Sequence, residues 1–170
     1  MSFFRGFKYA WRGIIFCIKN ERNMRFHTVA ALYVLIFARF FNFTRESLAV
    51  IMLTIGIVMA LEGVNTAIEE LCDKVSPEKN EFIKHCKDAA AGAVLIAAIF
   101  ATVVGIILFG NIDGLLTMYN FYVSHPINLS VLVLSGVGAG FYVALGPGRI
   151  KYIITRNKGK NNGGKRNDKK

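Results

Sequence analysis

Between Leu61 and Asp73 the chain reads Leu-Glu-Gly-Val-Asn-Thr-Ala-Ile-Glu-Glu-Leu-Cys-Asp, directly after an uncharged run that begins at Ser47. On an α-helix of 3.6 residues per turn, Glu62, Asn65, Glu69 and Asp73 fall at about 0°, 300°, 340° and 20°. Three carboxylates and one amide therefore share a narrow face, with Thr66 close by. A carboxylate in a membrane segment costs about 2.5–3.5 kcal/mol on insertion scales, and such residues mark functional sites. A polar helix end lying in water is the alternative. It suits Asp73 better than Glu62, which adjoins the apolar run.

Other residues complete a composite site. Glu21 stands at the entry of a first apolar span, so Glu21 and Glu69 together offer the hard oxygen ligands that Mg²⁺ takes alongside substrate phosphates. Lys87 can neutralise a phosphate, and Asp88 suits the positive end of a helix that opens there. Glu62, roughly two turns deeper than Glu69, is placed to accept a proton from a lipid hydroxyl. Phosphoryl transfer needs positioning, a metal, charge neutralisation and a base for the nucleophile. The run Gly159–Lys165 imitates a phosphate-binding loop, GxxxxGK, but Arg166 follows where Ser or Thr belongs, and neither strand nor helix frames it. It is set aside.

The elements that must carry these groups follow from composition. The 170 residues are 54% hydrophobic yet bear a net charge of +10. A membrane bundle with basic aqueous ends accommodates both, whereas a soluble domain of this size lacks the core to hide so much apolar surface. The bases cluster at the ends of apolar runs, which favours a membrane surface over nucleic acid as their partner. Cys17, Cys72 and Cys86 form neither a CxxC pair nor a disulfide framework. Arg5, Lys8 and Arg12 interrupt every early apolar run, so no signal peptide is expected.

The expected architecture is an all-α integral membrane protein. Residues 3–19 keep aromatic and basic faces at helical spacing, which is the pattern of an amphipathic surface helix. Spans are expected at 24–41, 47–70 and 88–112, with a fourth within an added stretch, 113–148, that opens as a loop. Gly136 and Gly140 in that fourth span have GxxxG spacing, suited to close helix packing. The tail, 149–170, is basic and Gly/Asn-rich and reads as disordered. The N-terminal part to Arg25 holds six Lys and Arg, the loop from Lys74 to Lys87 four, and the tail from Arg149 nine, against Arg39 and Arg45 on the other side. Both termini and the 74–88 loop are therefore expected in the cytoplasm, with the acidic face ending at the cytoplasmic interface of the cell membrane.

The set Tyr9-Ala-Trp-Arg-Gly13, Asn20-Glu21, Glu62-x-x-Asn65-x-Ala67-Ile68-Glu69-x-x-x-Asp73 and Lys87-Asp88 closely resembles the bacterial diacylglycerol kinase family, small integral-membrane lipid kinases. The resemblance covers roughly residues 1–112. The segment Asn20–His27 looks like the Gram-positive branch, which prefers undecaprenol. The resemblance implies that Glu62 is the general base, that Asn65 orients the reacting groups, and that Glu21 and Glu69 bind the metal with ATP. It further implies nucleotide contacts from Tyr9, Asp73, Glu78, Lys87 and Asp88, lipid docking at Trp11 and Arg12, and a homotrimer with shared active sites. Three departures stand out. Ser2 occupies the place of a basic residue, Lys79 and Asn80 do not match the nucleotide loop, and residues 113–170 are additional.

The expected function is thus ATP- and Mg²⁺-dependent phosphorylation of undecaprenol, with diacylglycerol as the alternative acceptor. A small ion-coupled transporter with Glu62, Glu69 and Asp73 along its path is the rival of a different class. It predicts acids spread through the membrane on several spans, whereas these gather toward one end and 89–112 carries none.

Overall fold

The computed structural model describes residues 3–75 and 80–167, with side chains as far as Pro147. Among these residues all regular structure is helical: α1 Phe3–Asn20, α2 Arg22–Ala38, α3 Arg45–Val75, α4 Glu81–Phe109, α5 Ile112–Ser124 and α6 Pro126–Asn167. Three helices are long and apolar enough to cross a membrane: α3, α4 and the part of α6 from Pro126 to Pro147.

The expected surface helix is α1, and none of its residues is buried. It breaks at Glu21, whose extended backbone (φ −94°, ψ 125°) makes it the N-cap of α2. Where a span is expected at 24–41, the helix starts two residues earlier, at Arg22, and ends three residues sooner, at Ala38. At 17 residues, α2 falls below the length of the three spanning helices. Its end tightens as Phe40 and Phe41 donate their amides to the Phe37 and Ala38 carbonyls. This turn buries both rings. Phe41 packs against Phe43 and Phe109, and Phe40 against Phe121 and Tyr122. Arg39 lies 4.7 Å and 5.1 Å from the centroids of Phe40 and Phe121, a cation–π arrangement. Aromatic burial and the cation–π pair outweigh a further turn of helix.

At 31 residues, α3 measures about 46 Å at 1.5 Å per residue, against about 30 Å of bilayer hydrocarbon. It is thus longer than the membrane core is thick. It forms an αα-hairpin with α4, the most extensive helix contact among the described residues. α4 begins earlier than expected, at Glu81, because the Asn80 side chain caps it by accepting from the Phe82 amide at 2.8 Å. Lys87 and Asp88 consequently sit well inside α4 rather than at its start. The dipole argument for Asp88 does not apply.

The stretch expected as a loop after residue 112 is instead α5. The Asn111 side chain caps it by accepting from the Gly114 amide at 3.1 Å. Gly114 is buried, and a Cβ there would lie 2.2–2.8 Å from the Phe41 ring. Only glycine lets α5 close on the aromatic cluster. Gly114→Ala is expected to destabilise the fold by about 1–3 kcal/mol through overpacking, read as a lower thermal unfolding midpoint. An unchanged midpoint would mean that Phe41 moves aside freely.

α6 packs along α2, where the Tyr33 hydroxyl meets the Ser135 hydroxyl at 2.8 Å. The expected close packing at Gly136 and Gly140 is not found, since a Cβ at either would meet nothing within 4 Å. They line an open groove between α2 and α6 with Phe26, Val29 and Tyr33. The helix kinks at Gly146, and its backbone continues as helix to Asn167, where the sequence reads as disordered.

Candidate active site

Glu62, Asn65 and Thr66 share one face of α3, and all three are buried. Glu62 is the most buried large side chain of the described residues, at 1% exposure. Its Oε2 has no hydrogen-bond partner, and neither does the Asn65 Oδ1. The charged groups that face it are the carboxylates of Glu21 and Glu69, and the Asn23 side chain lies against it. A buried carboxylate beside two others, with one oxygen unsatisfied, opposes ordinary folding economics. Such arrangements cluster where a protein performs chemistry. Thr66 does not relieve it, because its hydroxyl donates to the Glu62 backbone carbonyl at 3.0 Å, one turn back.

Asn65 donates its amide to Glu69 Oε1 at 2.9 Å. This bond across one helical turn orients the Glu69 carboxylate, while the free Asn65 oxygen remains available to a donor. Glu21 enters from the α1–α2 junction. Its side chain makes no capping bond to α2, so the carboxylate is not consumed by helix structure. Burial first, then the Glu69 and Glu70 carboxylates, push the Glu21 carboxyl up from its ordinary value, while Arg25 pulls it down.

A raised folded-state value means that the protonated form is the better accommodated one. This stability contribution is complete in acid, below the unfolded value, and is lost as pH rises through the folded value. In metal-free protein, Glu21→Gln is therefore expected to gain thermal stability over the wild type as pH rises from acid toward neutral. Parallel pH profiles for the two proteins would show that ionising Glu21 carries no penalty.

Lys87 bonds to Asp73, joining α4 to α3 beyond Glu69. The partners are partly and largely exposed, at 32% and 71%, so solvent weakens the pair and leaves Lys87 free to exchange partners. Asp88 is exposed. Tyr9, Trp11 and Arg12 are exposed on α1, and the Arg12 guanidinium lies 5.9 Å from the Tyr9 ring centroid. None of these three is among the groups gathered around Glu62. Glu78 lies outside the described residues. One turn deeper than Glu62, an apolar cavity of about 170 Å³ opens between α2, α3 and α4, with His27, Val58, Met59 and Val104 in its wall.

Among the described residues no three His, Cys, Asp or Glu side chains form a ready-made metal cage. The donor set nevertheless fits Mg²⁺, which keeps several waters and uses one or two carboxylates together with substrate phosphates. Glu21 and Glu69, both oxygen donors with unspent negative charge, are of that type. Sequence reasoning passed over Arg25 and Asn23. Arg25 had a signal, since it stands four residues after Glu21, the spacing at which helical charges meet.

The model for prokaryotic diacylglycerol kinase matches residues 8–109, the segment from α1 to the end of α4. A diacylglycerol kinase of Synechocystis is 42% identical over 100 residues, 58% of this chain and 57% of the relative. An undecaprenol kinase of Bacillus subtilis is 38% identical over 107 residues, covering 63% of this chain and 87% of the relative. A diacylglycerol kinase of Escherichia coli is 31% identical over 100 residues, 82% of its length. The match thus spans little more than half of the Synechocystis protein and most of the other two. It includes Glu21, Glu62, Asn65 and Glu69, and stops short of α5 and α6. The chain belongs to the prokaryotic diacylglycerol kinase family, a family of membrane lipid kinases.

Proposed function

We propose that this protein transfers the γ-phosphoryl group of ATP to the primary hydroxyl of a membrane lipid, undecaprenol in preference to diacylglycerol. The observation that carries the reading is the fully buried Glu62, with a free oxygen, near enough to the Glu21 and Glu69 carboxylates to feel their charge. Glu62 accepts the hydroxyl proton as the lipid oxygen forms its bond to the γ-phosphorus, and the bond to the β-phosphate oxygen breaks to release ADP. Asn65 holds Glu69 in place and offers its free oxygen to a donor on the reacting groups. Glu21 and Glu69 are the residues to hold Mg²⁺, which neutralises phosphate charge when bound. Lys87 exchanges Asp73 for a nucleotide phosphate, with Tyr9, Asp73, Glu78 and Asp88 as further nucleotide contacts.

Trp11 and Arg12 are placed on the surface helix to meet the lipid, and the cavity beneath Glu62 accepts part of its chain. Charge placement supports both termini in the cytoplasm and the site at the cytoplasmic face of the cell membrane. A homotrimer with shared sites completes the reading. The α4 face carrying Leu95, Ile99, Phe100, Val103 and Ile106 is exposed in the single chain and available for such an assembly.

The preference for undecaprenol rests on the Asn20–His27 segment and on the Bacillus relative named as an undecaprenol kinase. The Synechocystis relative, named as a diacylglycerol kinase, supports the other acceptor. Transfer from labelled ATP in mixed micelles, with the two lipids side by side, decides between them. Faster transfer to undecaprenol is expected. Faster transfer to diacylglycerol would change the substrate and leave the site assignments in place, and transfer to neither would overturn the kinase reading.

A further inference from the structure

Arg25 is buried, at 6% exposure, yet each of its three guanidinium nitrogens donates a hydrogen bond. Its Nε and Nη2 donate to the Val143 carbonyl of α6 at 3.2 Å and 3.1 Å, and its Nη1 donates to the Lys19 carbonyl at 3.1 Å. Both acceptors are carbonyls left without a helical partner, for different reasons. In α6 the amide that would reach Val143 belongs to residue 147, which is proline and has no N–H. At the end of α1, the extended Glu21 interrupts the helical ladder just beyond Lys19. A guanidinium donates to both at once and brings positive charge to two negative helix ends.

The backbone around α6's break is shaped to this contact. Gly146 has φ 67°, a conformation that favours glycine, and a Cβ there would stand 3.0–3.3 Å from the Arg25 guanidinium. On α2, Arg25 lies one turn beyond Glu21, and its amide bonds the Glu21 carbonyl at 3.3 Å. The chain from α6 to the site is therefore short: Val143 carbonyl, Arg25, the α1–α2 junction, Glu21.

We infer that α6 is a brace for the active site, and that Arg25 is the positioning residue through which it fixes the α1–α2 junction bearing Glu21. Residues beyond 109, outside the kinase-family match, thus act on nucleotide binding without touching the nucleotide. This rests on the reading of Glu21 as a ligand of Mg²⁺ with ATP.

Three variants test it in the full-length protein. Arg25→Lys keeps the charge but cannot span both carbonyls. Gly146→Ala drives a methyl group into the guanidinium. Pro147→Ala supplies an amide that competes with Arg25 for the Val143 carbonyl once Gly146 turns helical; it is the mildest and carries the test if Gly146→Ala fails to fold. Equilibrium binding of a fluorescent ATP analogue with Mg²⁺ is measured in micelles, followed by phosphate transfer as lipid is varied.

The nucleotide dissociation constant is expected to rise about tenfold in Arg25→Lys and Gly146→Ala, the scale on which partners of a metal ligand act. The lipid concentration at half-maximal rate is expected to move less than twofold. The double variant Arg25→Lys with Gly146→Ala is expected to be no worse than Arg25→Lys alone, because both substitutions remove one coupling. Wild-type nucleotide binding in Arg25→Lys and Pro147→Ala, or fully additive effects in the double variant, would overturn the brace. A wild type that binds the nucleotide and transfers phosphate to no lipid would instead overturn the kinase reading and leave the brace intact.

Discussion

Glu62→Gln is expected to reduce phosphate transfer by about 10²–10⁴-fold, the range a positioned general base supplies, while leaving the protein as stable as the wild type or more so. The two effects diverge because one property underlies both. Glu62 is 1% exposed, has an unpartnered oxygen and faces two further carboxylates. The amide keeps the size and fills the same space, so packing against α2 persists. It removes an ionisable group from beside two carboxylates, so no repulsion arises there, yet it cannot accept the hydroxyl proton. The check is transfer from labelled ATP beside a thermal melt of the same preparation. Activity within tenfold of the wild type would remove Glu62 from the proton-accepting role. Lost activity with an equally lowered midpoint would make it a structural residue.

Glu69→Gln is expected to raise the Mg²⁺ concentration required for half-maximal activity by 10-fold or more, on the order of what loss of a supporting ligand contact costs. The substitution is chosen because Gln retains an oxygen for the Asn65 amide, bonded at 2.9 Å to Glu69 Oε1 in the wild type. Orientation within the α3 face is thereby preserved and only the charge is lost. Excess Mg²⁺ is expected to restore much of the rate, since Glu21 remains as a carboxylate donor. Glu69→Ala is expected to be worse than Glu69→Gln, because it also leaves the buried Asn65 amide without an acceptor. A Mg²⁺ titration of Glu69→Gln superimposable on the wild type would dismiss Glu69 as a metal ligand.

Much of this protein was legible from residue order. Long uncharged runs ended by Arg and Lys specify helices in a bilayer, since lipid leaves every backbone amide to be satisfied within its own segment. A helix of known pitch then places Glu62, Asn65 and Glu69 on one face without further information. The string from Glu62 to Asp73, with Lys87-Asp88, is specific enough to indicate the family. These are local properties: each depends on neighbours within a few residues.

What remained hidden depends on contacts between distant residues. The end of α2 was placed three residues too late because the chain there turns into an aromatic cluster assembled from Phe40, Phe41 and Phe43 with α4 and α5. The region after residue 112 looked like a loop because the packing of Gly114 on Phe41, which accommodates a helix there, spans more than 70 residues. The start of α4 was placed too late because Asn80 reads equally as a turn residue and as a cap until its oxygen is seen on the Phe82 amide. Arg25 shows the division most clearly. By sequence it is one more base at a membrane entry. Only the tertiary structure brings it to a carbonyl 118 residues away, freed because Pro147 has no amide hydrogen to offer. Helical pitch and hydropathy act along the chain and can be read there, whereas a buried charge finds its partner only once the helices have packed.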